Sequence, residues 1–522
     1  MEEARKGGSI TEAAPLTQKP KAHESALRGP EAAEFKRKSV QGGVLTVFSQ
    51  GFAMFLQIGT TVILARLLAP SDYGLQSMVF TLTTFLALFK DAGLSAASIQ
   101  REKLTTEQIS TLFWINVGIG TLLTLIVAAA APLLAGFYKE PRLLWITIAS
   151  APIFLFNSLV FQHGALLTRA MRFGTSVKIE MFTGAAGALV AIVMAAKGFG
   201  YWALICQNIS IPFLCMIAMW FAMPWVPGKP HWTPELRSML RFGGTITLNG
   251  IVVYIAYNTE KILLGRYWGA GPLGIYTRGY QLATLPVQQL ISAAHGVAFS
   301  VLSRMQSETE KLERAYLKSL SIIVALTVPV VLSSALFAKE IVLIVLGPKW
   351  LAAVQVLRFL APTVLFFALI NPFSWFLRAT GRVRRSLNTA FLICPVVVLG
   401  VVAGLHHGPA GVALGYSAAM VLLFVPVVIW AKHGTGITAR KYWDAVKQPL
   451  ISGVVAGAAG WLVHMVYGKS LAPIPLLAIE LAISGVVYFG WMLFVMGQKD
   501  FYFDLVKTIL QRRQAAPAES AT

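Results

Sequence analysis

Charge is scarce in this chain: 13% of its 522 residues are Asp, Glu, Lys or Arg, against 56% hydrophobic. Soluble domains carry about 25% charged residues, which excludes a globular enzyme with water on every side. Acids are the scarcer sign, 23 against 44 Lys and Arg, for a net charge of +21. Cysteine is nearly absent. The three present (Cys206, Cys215, Cys394) lie inside apolar runs, so no disulfide or metal framework is implied. His163, His295 and His464 are isolated along the sequence, without metal-ligand spacing, and no metal or cofactor is expected. No cleavable leader is expected either. Residues 1–38 are polar, charged and rich in Pro and Ala, and read as a disordered tail ending in Lys36, Arg37 and Lys38.

What fills the chain is apolar runs of the ~20 residues an α-helix needs to cross a bilayer core, with a mean hydropathy of +0.66. The expected fold is an all-α polytopic membrane protein. Fourteen transmembrane helices are expected, at 40–67, 72–99, 108–136, 142–167, 173–196, 200–225, 238–265, 272–302, 316–337, 351–377, 387–404, 411–431, 448–467 and 474–496. The short apolar segment Lys339–Trp350 reads as interfacial. Segments on the side of the N-terminus hold 32 Lys and Arg and the opposite loops 8, which places both termini in the cytoplasm. That asymmetry explains the basic charge without nucleic acid and leaves attraction to anionic lipid. The loops on the far side are too short for the folded region that a glycan polymerase or ligase would need. Aromatics near helix ends (Tyr138, Tyr201, Trp202, Trp225, Trp268, Trp350, Trp443) fit interfacial belts.

The chain repeats itself. Leu64-Ala-Arg66, followed by Gly74, matches Leu264-Gly-Arg266, followed by Gly274, at an offset of 200. Ala151-Pro152 matches Ala361-Pro362 at 210, and Arg169-Ala170 matches Arg378-Ala379 at 209. Six helices per repeat give two lobes of the same orientation, related by a pseudo-twofold axis along the membrane normal. The expected units are a first lobe at 39–228, a second at 229–434, an appended pair of helices at 435–497 and a cytoplasmic tail at 498–522. Repeated lobes around a cavity suit alternating access. Prolines inside spans (Pro152, Pro212, Pro286, Pro329, Pro362, Pro395, Pro426) permit bends.

Several motifs resemble those of polysaccharide exporters in the MOP superfamily. They are Leu64-Ala-Arg-Leu-Leu-Ala-Pro-Ser-Asp-Tyr-Gly74 and Phe89-Lys-Asp-Ala-Gly-Leu-Ser-Ala-Ala-Ser-Ile-Gln-Arg101 in the first lobe. In the second they are Gly265-Arg-Tyr-Trp-Gly269, Leu273-Gly-Ile-Tyr-Thr-Arg278 and Leu346-Gly-Pro-Lys-Trp350. The resemblance covers roughly 40–430 and is closest in character to exporters of the colanic acid and succinoglycan type. It implies a MATE-like fold and a Wzx-type flippase of the bacterial inner membrane, with no enzymatic step. Its substrate would be an undecaprenyl-diphosphate-linked oligosaccharide, moved between leaflets for exopolysaccharide or lipopolysaccharide synthesis beside polymerase and chain-length machinery. A drug or cation antiporter of the MATE branch and a peptidoglycan-precursor flippase of the MurJ type are the alternatives.

Charges inside spans are costly and mark functional sites. Lys261, Arg278 and Arg358 come from three helices of one lobe, each ~9–10 Å below the far surface at 1.5 Å per residue. Their first-lobe counterparts are Thr61, Met78 and Ile148, so the repeat itself does not require them. They form the candidate diphosphate site, since an arginine fork pairs bidentately with phosphate and lysine adds a point charge. Snorkelling to the interface, or an internal pair such as Arg278 with Glu260, would be the structural alternatives. Nearer the cytoplasm, Lys90 is a candidate entry contact, with Asp91 and Glu180 as charge partners or ion-coupling acids. Glu480 reads as structural.

Overall fold

The structure is a computed structural model describing residues 32–91, 105–231, 250–251, 254–255, 257–304, 309–379, 383–433 and 435–500, with some side chains within these helices left outside the description. Among the described residues the regular structure is all helical. Among the described residues, ten helical stretches are long and apolar enough to cross a membrane. The large side chains on their outer faces are apolar, among them Phe55, Leu133, Phe221, Leu399 and Val486, each more than two-thirds exposed. Such a surface would be an aggregation liability in water and is ordinary in lipid.

In chain order the helices are α1 (Ala32–Leu67), α2 (Pro70–Asp91), α3 (Thr106–Tyr138), α4 (Leu143–Ser150), α5 (Ile153–Arg169), α6 (Phe173–Ala196) and α7 (Tyr201–Ala222). After the helical segment 257–268, here α8, come α9 (Ala270–Arg304), α10 (Thr309–Leu336), the short α11 (Ala338–Val345), α12 (Ala353–Ala379), α13 (Val383–Gly404) and α14 (Gly408–Lys432). The chain closes with α15 (Ala439–Tyr467) and α16 (Pro473–Gly490). Helix α1 begins at Ala32, inside the segment expected to be a disordered tail.

Local chemistry sets these boundaries. Thr105 caps α3 through a reciprocal pair: its hydroxyl accepts from the Gln108 amide at 3.2 Å, and the Gln108 side chain accepts from the Thr105 amide at 3.3 Å. The same helix stops where Lys139 turns left-handed at φ 55°. Pro152 separates α4 from α5, whereas Pro212, Pro286, Pro329, Pro362, Pro395 and Pro426 lie inside continuous helices. Helices α2 and α9 are less apolar than most of the others. They are also the helices that meet across the two repeats.

That meeting has the reciprocity of a twofold axis. A methyl group on Gly74 would overlap the backbone carbonyl of Ala270, and one on Gly274 would overlap the carbonyl of Pro70. The pairs 74 with 270 and 274 with 70 exchange at the same offset of 200 that relates the two sequences, as a self-complementary contact requires. The helix ends beside them repeat the exchange. Trp350 donates from its indole to the Ala65 carbonyl at 2.9 Å, while the Tyr138 ring packs over Gly265. Arg66 donates to the Ile344 carbonyl at 3.1 Å, and Arg266 lies 5.7 Å from the Phe137 ring centre.

Short turns gather at this end of the bundle: Asp72 lies beside Gly200, and Trp268 donates to the Leu405 carbonyl at 2.8 Å. One buried apolar cluster, including Leu64, Tyr73, Leu264, Tyr276, Leu346 and Trp350, ties both repeats together there. Three aromatics expected in interfacial belts are instead buried in protein: Tyr138, Trp225 and Trp350. The expected interfacial segment Lys339–Trp350 folds as α11 and a 3-10 turn over Pro348–Trp350, with Ala338, Glu340, Val342 and Trp350 buried.

Candidate functional site

One turn below the Gly74–Gly274 contact, a cavity of about 570 Å3 opens between α1, α2, α6, α7 and α9. Along α1 it runs from Ser49 to Leu64, roughly 22 Å at 1.5 Å per residue. Its α1 wall carries Gln57, Thr60 and Thr61, a helical spacing that keeps all three on one face. Helix α2 adds Gln76 and Ser77, and α7 adds Gln207 and Asn208. Thr277, Arg278 and Gln281 come from α9, and Glu180 comes from α6. Among the described residues the lining therefore holds one cation, one anion and five carboxamides. Carboxamides both donate and accept, the pairing that sugar hydroxyls require.

Arg278 is held at the top of this space. Its guanidinium lies 3.8 Å from the centre of the Tyr73 ring and donates to the Gln281 side-chain oxygen. Among the described residues no carboxylate comes within ion-pair distance of it, and the suggested pair with Glu260 does not form. A partly buried guanidinium without a counter-ion, oriented by a ring face, retains donors for an anionic ligand.

The three second-lobe cations do not meet in the cavity. Lys261 turns to its own neighbourhood: it donates to Asn258 at 2.9 Å, lies 3.7 Å from the Glu260 carboxylate and sits 5.1 Å from the Tyr280 ring centre. Glu260 is fully buried, and Lys261 is its ion-pair partner among the described residues. Arg358 is exposed and lies outside the cavity wall. The direction around each helix separates the three. Of the acids, Glu180 lines the cavity. The side chains of Lys90 and Asp91, and with them the suggested Lys90–Glu180 pair, lie outside the described residues.

The carboxamides are the contribution that a search confined to charged residues overlooks. Gln57, Gln76, Gln207, Asn208 and Gln281 interrupt apolar spans and could have been marked on that ground.

A second cavity of about 480 Å3 adjoins the first, sharing Thr61 and Gln281 with it. Its walls are mostly apolar and come from α1, α9 to α11, α15 and α16, including Leu285, Val330, Leu336, Ile341 and Leu481. A polar chamber and an apolar groove thus meet edge to edge.

Residues 63–355, more than half of the sequence, match the family described as polysaccharide biosynthesis protein. The chain belongs to that family. It is 27% identical to the teichuronic acid biosynthesis protein TuaB of Bacillus subtilis (strain 168), over 66% of this chain and 72% of that one. It is 26% identical to the lipopolysaccharide biosynthesis protein WzxC of Escherichia coli (strain K12), over 78% and 84% of the two chains. The succinoglycan biosynthesis transport protein ExoT of Rhizobium meliloti (strain 1021) is also 26% identical, over 65% and 68%. Among solved structures, the lipid II flippase MurJ in an inward closed conformation superposes with a TM-score of 0.69 at 14% identity, covering 90% of this chain and all of that one. An inward-facing multidrug resistance transporter of the MATE family and MOP superfamily gives 0.59 at 16% identity, over 76% and 96%. This member of the family therefore has the MurJ and MATE fold, and the family match spans the cavity helices α2, α6, α7 and α9.

Proposed function

We propose that the protein is a non-enzymatic flippase for polyprenyl-diphosphate-linked oligosaccharides in a bacterial inner membrane. The observation that carries this reading is the junction at Thr61 and Gln281. A lipid-linked sugar is itself half polar and half apolar, joined at a diphosphate. Arg278 stands one turn from Gln281 on α9 and supplies the cation for the diphosphate. The carboxamides would receive the sugars, and the polyprenyl chain would follow the apolar groove into lipid. A cation antiporter would favour a net acidic chamber, whereas here Arg278 balances Glu180. The names of the relatives, which refer to the biosynthesis of teichuronic acid, lipopolysaccharide and succinoglycan, support this reading.

In this reading the helices form fourteen crossings with both termini in the cytoplasm, following the excess of Lys and Arg on that side. The sealed short-turn end then faces outward, and rocking of one lobe on the other about the Gly74–Gly274 contact would expose the chamber to the outside. Polymerase and chain-length machinery would take the delivered unit. The test is translocation of an undecaprenyl-diphosphate oligosaccharide in proteoliposomes. Replacing Arg278 by Ala removes a charge-assisted contact of about 1.5–3 kcal/mol and is expected to lower substrate affinity by about 10- to 100-fold. Unchanged transport at limiting substrate by folded Arg278→Ala protein would overturn the reading.

A further inference from the structure

Away from the chamber, three groups from three helices converge where α16 packs on α11 and α15. Glu340 stands in the first turn of α11, His464 in the last turn of α15 and Glu480 in the middle of α16. One ligand atom from each lies within 4.8 Å of the other two. The imidazole Nδ1 of His464 is 2.7 Å from Glu480 Oε1. Glu480 is fully buried and Glu340 is 5% exposed, and Oε2 of each accepts no hydrogen bond. Two carboxylates packed this closely, with orphaned oxygens and one imidazole beside them, leave negative charge uncompensated, which is costly away from water.

We propose that Glu340, His464 and Glu480 form a binding site for one divalent transition-metal ion. Two carboxylate oxygens and one imidazole nitrogen are a donor set that suits Zn2+. A dication would neutralise both acids and occupy the orphaned oxygens. Metal–ligand bonds of ~2.0–2.2 Å require only side-chain adjustment from the present spacing. The His464 side chain is 36% exposed, which provides an entry path and a fourth position for water. Both Glu480 and His464 belong to the appended hairpin, and Glu340 belongs to the second repeat. The ion would therefore bolt the hairpin to α11. One turn beyond Glu340 on that helix, the Ile344 carbonyl receives Arg66, so the bolt would brace the helix that closes the short-turn end.

The experiment uses tag-free, full-length protein stripped with a chelator, with Zn2+ as the probe and bound metal and thermal unfolding as readouts. The exposed residues His231, His406, His407 and His433 are replaced by Ala in the background, so that these surface imidazoles do not contribute. One Zn2+ per chain and a raised unfolding temperature are expected. Binding should weaken at least tenfold in Glu340→Gln, His464→Ala and Glu480→Gln, and should return in His464→Cys, which restores a zinc ligand. Because binding is read without transport, the outcome is independent of the flippase assignment. Absence of Zn2+ binding would overturn the proposal and leave a proton-bridged His–Glu pair. So would equal binding by the background and by folded Glu480→Gln protein.

Discussion

Arg278 and Arg358 look alike in the sequence, two arginines at the same depth in neighbouring helices of one lobe, but their surroundings differ. Arg278 faces the chamber on the Tyr73 ring, whereas Arg358 is exposed outside it. Arg358→Ala is accordingly expected to leave substrate affinity within about twofold of wild type in the proteoliposome assay. A loss matching that of Arg278→Ala would restore a shared cationic site. Sequence reading found the charged residues, because an ionisable group in an apolar run is conspicuous. It could not assign rotation, since these helices are apolar on their lipid-facing and protein-facing sides alike and no hydrophobic stripe sets the angle. Lys261 shows the same limit: its pairing with Glu260, Asn258 and Tyr280 depends on local direction and leaves no signature in spacing.

At the scale of elements, the offset of 200 was legible and its consequence was not. Gly74 and Gly274 repeat as letters; that they face one another needs coordinates. A methyl at either place would collide with backbone, which cannot move aside as a side chain can. Overpacking of this kind costs about 1–3 kcal/mol, and the cost falls only on the sealed state. Gly274→Ala is therefore expected to shift the protein toward the state open at the short-turn end. A single cysteine at Thr277, in a background without Cys206, Cys215 and Cys394, should then react several-fold faster with an impermeant thiol reagent applied from that side. Unchanged reactivity would show that the α2–α9 contact is not the seal. Trp350 belongs to the same element. An interfacial belt was a fair expectation for an aromatic near a helix end, but this indole is buried and spans the repeats to Ala65. The cluster of Glu340, His464 and Glu480 escaped for a related reason: metal-ligand spacing is a local pattern, and these groups lie on three separate elements.

For the whole molecule, composition and the apolar runs were enough to read an all-helical membrane protein, and the motifs were enough to read a family of polysaccharide biosynthesis. Two adjoining cavities of unlike polarity were not readable, because they arise from the packing of helices drawn from both repeats and the appended hairpin. They lead to an energetic expectation. A diphosphate moving outward across a membrane negative inside gains up to ~2.3 kcal/mol per charge per 100 mV, provided that the protein's own charges stay in place. Imposing such a potential on proteoliposomes, with ion gradients collapsed, should accelerate outward translocation, and reversing it should slow it. Indifference to the potential would require another source of drive.

The most direct test asks where the two halves of one substrate lie. Photoreactive side chains are introduced singly at Gln207, in the polar chamber, and at Leu481, in the apolar groove, and challenged with a radiolabelled undecaprenyl-diphosphate oligosaccharide. After cleavage of the diphosphate, label from the sugar should remain attached at position 207 and label from the polyprenyl chain at position 481. Attachment of the sugar at 481, or of the lipid chain at 207, would contradict the division of labour between the two cavities.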